Sequence, residues 1–136
     1  MNNESNVKLI QSIYEAFGRG DVPFIASNVR PDARWDFNVV ASDVPWHVPV
    51  TGPAEVPKFL AAFVENVKLE AFEPKQFIAM GGEVVAHVRL AYTVKRTGKR
   101  VEEDQLHWWT VRDGMIARLR HFEDTAQVVN AWRGAA

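Results

Sequence analysis

The hydrophobic period of this chain changes to two after residue 67, and that change limits the folds open to it. Val56, Phe59, Leu60, Phe63, Val64 and Val67 recur at helical spacing over residues 56 to 67, so one stripe faces a core. After that the period is two. "EAFEPKQFIAM", "EVVAHVRLAYTV", "VEEDQLHWWTV" and "MIARLRHFE" alternate, separated by Gly81-Gly82, Thr97-Gly98 and Asp113-Gly114. Glycine-bearing turns between alternating segments predict hairpins, hence an antiparallel meander. Pro74 inside the first of these strands requires an edge or a bulge.

The rest of the chain supplies helices and one more strand. Leu9, Ile10, Ile13, Tyr14 and Phe17 form an apolar stripe over residues 7 to 17, which Gly18 and Gly20 end. Asp21 can cap a short helix over "VPFIASNV". "ARWDFNVV", residues 33 to 40, reads as a strand, and "ASDVPWHVPVTGP" as a loop carrying Trp46 and His47. Pro57 fits the first turn of the 56–67 helix. A last helix, "TAQVVNAW", follows Asp124 with Gln127 three residues on, a capping-box pattern. Helices, strand, helix and meander make an α+β domain spanning residues 1–136, with helices on one face of a curved sheet.

Composition excludes several functions. A net charge of −1 with no clustered Lys or Arg removes the electrostatic footprint of a nucleic-acid binder. The absence of cysteine excludes disulfides, thiol catalysis and Cys-ligated zinc. The four histidines, at 47, 87, 107 and 121, lack short ligand spacing, so no metal is expected. No Gly-rich phosphate loop or serine elbow appears. "MNNESNVK" has no apolar signal core and no apolar run reaches membrane length, so a cytoplasmic protein without membrane association is expected. The excess is aromatic: five Trp, eight Phe and two Tyr are more than a core this small obviously needs.

"YEAFGRGD", "RPDARWDF", "VPKFLAAF" and "TGKRVEEDQLHWWTVRDGMIARLRHFEDTAQV", in that order, resemble the SnoaL-like branch of the NTF2-like superfamily over nearly the whole chain. The resemblance implies a cone-shaped (cystatin-like) α+β barrel: a curved mixed or antiparallel sheet with three to four helices enclosing an apolar pocket, usually in a dimer. Members include polyketide cyclases, ketosteroid isomerases and an epoxide hydrolase. Against the isomerases, the general-base aspartate falls on Phe37, with Asp36 one place earlier. The oxyanion tyrosine falls on Ile13, with Tyr14 adjacent, and the protonated aspartate on His107. Two of the three catalytic groups are hydrocarbon, which argues against ketosteroid isomerase activity.

Strand phase sorts the remaining residues. Glu103, Gln105, His107, Trp109 and Val111 share one face. A two-residue Thr97-Gly98 turn sets Val88 opposite His107 and brings Leu90 and Tyr92 to the same face. At Asp113-Gly114 a two-residue loop opposes His107 with Arg120. A three-residue loop with a bulge opposes it with His121, and Gln105 with Glu123. The family resemblance favours the second, which puts Leu119, His121 and Glu123 on the concave side. His107, His121 and Glu123 are then candidate catalytic groups inside an apolar cup, and imidazole suits proton transfer. Tyr14, Phe17, Trp35, Phe37, Trp46, Phe59, Phe63, Val88, Leu90, Tyr92, Gln105, Trp109 and Leu119 are the expected pocket wall. His47 reads as a solvated loop residue. His87, Arg89, Trp108 and Phe122 fall on the outer face, a candidate homodimer surface. These readings point to a cofactor-free isomerase, cyclase or hydratase/dehydratase acting on a small apolar molecule. The alternative is a binding or assembly module that uses the same cup without catalysis.

Overall fold

The alternating segments pair as one six-stranded sheet, seen in a computed structural model that describes residues 2–39 and 42–134. In chain order the elements are α1 (Asn3–Gly18), α2 (Val22–Ser27), β1 (Val29–Asp36), β2 (Val50–Thr51), α3 (Val56–Asn66), β3 (Val67–Met80), β4 (Glu83–Val94), β5 (Arg100–Arg112), β6 (Met115–Phe122) and α4 (Thr125–Arg133). The sheet order is β2-β1-β6-β5-β4-β3. Only β1 and β6 run parallel; the other neighbours are antiparallel, so the α+β fold has a mixed sheet.

Local chemistry fixes the ends of these elements. Asn2, Asp21 and Asp124 each cap a helix by accepting a backbone N–H three residues on. The capping box at Asp124 is only half formed, because the Asp124 N–H is taken by Glu103 Oε1 at 2.8 Å. Gln127 instead ties α4 to the backbone of Glu102. Pro74 meets both of its conditions: β3 is an edge strand, and its register slips between Pro74 and Gln76.

Several boundaries differ from the sequence reading. Val67 opens β3 instead of closing α3, and Val64 is exposed, because the apolar stripe outlasts the helix that carries it. The strand read over residues 33–40 runs Val29–Asp36, pulled earlier by its pairing with β6. Val40, together with Met1, Ala41, Ala135 and Ala136 of the wider assignments, lies outside the described residues.

The hairpins set what faces inward. Gly81-Gly82 and Asp113-Gly114 are two-residue turns with both central residues at positive φ, the geometry that matches strand twist. The Thr97-Gly98 turn is longer than expected: Val94 N–H bonds Lys99 C=O and Thr93 pairs with Arg100. His107 therefore opposes Ala86, and Val88 opposes Gln105. The slip is two residues, so every side chain keeps its face. At Asp113-Gly114 the turn has two residues, but β6 bulges between Ile116 and Arg118, and this sets His107 opposite His121.

Val84, Ala86, Val88, Leu90, Tyr92 and Val94 are all buried on the concave face, against Ile10, Ile13 and Tyr14 of α1. Trp46 packs edge-on against Phe63, Tyr92 and Trp132, so the proline-rich segment is pinned across the mouth of the sheet. Among the described residues, no helix is long and apolar enough to cross a membrane.

Gly52 turns the chain from β2 towards α3 at φ 75° and ψ 171°, a region closed to other residues. A Cβ there would sit 2.9 Å from the Pro31 carbonyl oxygen. Gly52→Ala should cost about 2–3 kcal/mol by denaturant unfolding. A loss below about 0.5 kcal/mol would show that the turn relaxes freely.

Candidate functional site

β5 presents Glu103, Gln105, His107 and Trp109 at alternating positions, all buried on the concave face. Their polar atoms form one directed network. Trp109 Nε1–H donates to the Tyr14 hydroxyl oxygen at 3.0 Å, and that hydroxyl lies 2.7 Å from His107 Nδ1. His107 Nε2 is 2.8 Å from Gln105 Oε1, and His121 Nε2 is 2.7 Å from the same oxygen. With the Gln105 amide placed this way, its oxygen has no proton to give, so both Nε2 atoms carry hydrogen. His107 Nδ1 is then the acceptor of the Tyr14 O–H. Gln105 Nε2 in turn donates to Glu103 Oε2 at 3.3 Å. Both His107 nitrogens are therefore occupied within the protein. No group among the described residues bonds His121 Nδ1, which keeps its lone pair.

Burial sets the charges. It pushes His107 down to about 3. His121 also falls well below the usual imidazole range, first by burial and then by His107 and His47 nearby. Both rings are neutral at pH 7. Burial pushes Glu103 up to about 7; the Asp124 N–H opposes this, and the Glu123 charge adds to it. Tyr14 is raised by burial, partly offset by the Trp109 bond, and stays protonated as its donor role requires.

His47 is not a solvated loop residue. Its Nε2 lies 3.0 Å from Glu123 Oε2, and the two side chains are 0% and 1% exposed. Its Nδ1 lies 2.9 Å from Ser42 Oγ, which also accepts the Val44 N–H. The segment folds inward because its apolar residues Val44 and Trp46 are buried, and His47 goes with them. Glu123 thus pairs with His47 and leaves His121 to Gln105. Asp36 points outward to Arg34 and Arg118, whereas Phe37 packs 4.3 Å from the His121 ring between centroids.

These groups meet in a cavity of about 90 Å³. Tyr14, Phe17, Trp35, Phe37, Trp46, Phe59, Phe63, Leu90, Gln105, Trp109 and Leu119 line it together with His107, His121 and Glu123. Val88 and Tyr92 do not: Val88, the register partner of Gln105, is fully buried in the core, and Tyr92 is covered by Trp46 and Phe63. Ile13, Ile25, Leu60 and Phe72 also line the cavity without having been expected to. The half-buried members, Phe17, Phe59, Leu60, Phe63 and Phe72, mark the side between α1, α3 and β3 nearest to solvent. Among the described residues, no group of three or more His, Cys, Asp or Glu is placed to hold a metal ion.

Residues 10–119 match the model of the SnoaL-like domain. The chain belongs to the SnoaL-like family. No curated protein matches it in sequence. Among solved structures, an NTF2-like protein from Burkholderia xenovorans LB400 superposes with a TM-score of 0.86 at 26% identity, covering 96% of this chain and 98% of that one. TerC, co-crystallised with polyporic acid, gives 0.80 at 26% identity, covering 95% and 98%. A candidate polyketide cyclase from Xanthomonas campestris gives 0.77 at 21%, covering 97% and 99%, and supports the fold alone.

Two polar residues of this SnoaL-like site also escaped the sequence reading. Glu103 shares the phase of His107, and that phase was its only signal. His47 had a signal in the apolar neighbours Val44 and Trp46, outweighed by the surrounding prolines. Tyr14, one place after the position aligned with the oxyanion tyrosine, is the residue that carries a hydroxyl to His107. On the outer face, Arg120 stacks over Trp108 at 4.2 Å, while His87 and Arg89 bond Asp104. Phe122 lies opposite Leu106 on that face, half-buried.

The titrations oppose one another. His107 and His121 have folded values below their unfolded one, so their contribution to stability is full above about pH 6.5 and is lost as pH falls. Glu103 is raised, so its contribution has the reverse sign: the fold gains as pH falls from 7 towards 4.5. Two protons favour unfolding and one favours folding, so stability should drop by ~1.4 kcal/mol per unit between about pH 6.5 and 4.5. Glu103→Gln removes the opposing proton and should about double that slope in urea titrations. An unchanged slope would mean that Glu103 is ionised in the folded protein.

Proposed function

We propose that this SnoaL-like protein binds a small apolar molecule in the concave cavity and moves a proton on it without a cofactor. The reaction class is that of an isomerase, a cyclase or a hydratase/dehydratase, and not that of a ketosteroid isomerase, because Phe37 stands where that chemistry needs a carboxylate. One observation carries the reading: His121 is a neutral imidazole with an unshared Nδ1 lone pair in an apolar cavity, its tautomer set by Gln105. His121 is the proton acceptor in this scheme. His107, the stronger candidate by sequence, has both nitrogens bonded and acts by holding Gln105 and Tyr14 in place.

The depressed basicity of His121 fits a particular order of events. Burial keeps solvent from protonating the ring over the physiological range. A bound molecule that develops negative charge as it loses its proton, such as an enolate, offsets that penalty beside the ring. The base then accepts a proton only where the product anion is stabilised, which is differential binding of the transition state.

A second reading, a binding module without catalysis, draws on cavity size. The space is about 90 Å³, whereas an engineered apolar cavity that holds benzene measures about 150 Å³. A larger ligand requires Phe17, Phe59, Phe63 or Phe72 to move.

Native mass spectrometry of gently purified protein should reveal a small bound molecule. Incubating that molecule with the protein in deuterated water should exchange its acidic C–H, and His121→Asn should slow the exchange by about 100-fold. Bound ligand whose exchange is no faster than without protein would favour the module, and exchange unaffected by His121→Asn would overturn His121 as the base.

A further inference from the structure

The outer face of the sheet carries two charge clusters of opposite completeness. On β4 and β5 the charges are matched: Arg89 bonds Glu102 and Asp104, His87 bonds Asp104, and Arg100 bonds Glu70 and Glu102. On β1 and β6 they are not. Arg34 and Arg118 are register partners across the parallel pair, like charges set side by side. Among the described residues Asp36 alone serves both, at 3.1 Å from Arg34 and 4.0 Å from Arg118. Arg120, two residues further along β6, bonds no carboxylate among the described residues. Its Nε is buried with no acceptor, a costly state for a guanidinium N–H.

These arginines border an open cleft of about 680 Å³ between β1, β6 and the segment 42–49. Val39, Pro49 and Phe122 give it an apolar wall. The Arg120 guanidinium is held in place over the Trp108 ring, so little freedom is lost when it binds an anion. Phe37 and the His47–Glu123 pair stand between this cleft and the inner cavity, so the two spaces are distinct.

We propose that this cleft is a second ligand site, for a small organic carboxylate. The carboxylate lies on the guanidiniums of Arg118 and Arg120, where the surplus positive charge is found. The apolar body lies against Val39, Pro49 and Phe122. Guanidinium supplies the paired donors that a carboxylate accepts, and the wall selects an organic acid over an inorganic anion.

Phenylacetate, phenylacetamide and inorganic phosphate are suitable probes, with the tryptophan indole N–H resonances as reporters. Trp108 reads the cleft; Trp35 and Trp109 read the inner cavity. Phenylacetate should shift Trp108 saturably with a Kd of about 1 mM or tighter. Phenylacetamide and phosphate should each bind at least about 10-fold more weakly. Arg118→Ala, at a half-exposed position that the fold does not need, should weaken phenylacetate by about 10-fold, and Arg120→Ala by at least as much. Arg89→Ala, whose charge is matched elsewhere, should leave binding unchanged. The proposal is overturned if no saturable shift appears, or if the amide or phosphate binds as well as the acid. Shifts on Trp35 and Trp109 in place of Trp108, or binding that survives Arg118→Ala, overturn it equally.

Discussion

One amide oxygen organises the interior of this protein. Gln105 Oε1 receives an N–H from His107 and another from His121, at 2.8 and 2.7 Å. That pair of bonds decides where every proton in the network sits. It makes His107 Nδ1 an acceptor, so that Tyr14 donates, and it leaves the remaining nitrogen of His121 unshared. A carboxylate at position 105 would have drawn charge onto the rings, and a hydrocarbon would have left two N–H groups without acceptors. The neutral amide is the group that keeps two imidazoles both buried and uncharged.

The same burial that quiets the histidines raises Glu103, which holds the far end of the amide. Glu103 is anchored in turn by the N–H of Asp124, the cap of α4. The start of the last helix is thus tied to the polar floor of the cavity. On the other side, Glu123 bonds His47, so the proline-rich segment closes over the same floor. Two carboxylates that might have charged the histidines are each committed to a different element. What remains uncommitted in the cavity is the neutral imidazole of His121, as suits an apolar molecule that acquires charge only during reaction.

Most of the fold was legible because it rests on period and turn chemistry. The alternation in β4 and β5 put Val84 through Val94 and His107 on one face, and an error of two residues at Thr97-Gly98 left that intact. An error of one would have inverted the strand. Val88 and Tyr92 were misjudged because facing the concave side is not the same as reaching the cavity: Val88 is fully buried in the core, and Trp46 and Phe63 cover Tyr92. His47 was misjudged because three prolines describe a backbone and say nothing of where Trp46 will anchor it. The bond from Gln105 to the His121 ring had no local signal, since it joins residues sixteen apart through a strand register.

That register was the open question at Asp113-Gly114, and energetics explains its outcome. The turn itself has two residues and, continued without interruption, would set Arg120 opposite His107. An arginine cannot shed its charge, and the cavity offers it no free carboxylate, so burial there would cost several kcal/mol. Histidine can enter neutral, with one N–H given to Gln105 and a ring that packs against Phe37. The bulge between Ile116 and Arg118 costs a locally broken ladder, and β6 accepts it to exchange a permanent cation for an imidazole. Arg118 and Arg120 are sent to the outer face by the same step. The candidate base inside and the unmatched arginines outside are therefore two consequences of one extra residue in one strand.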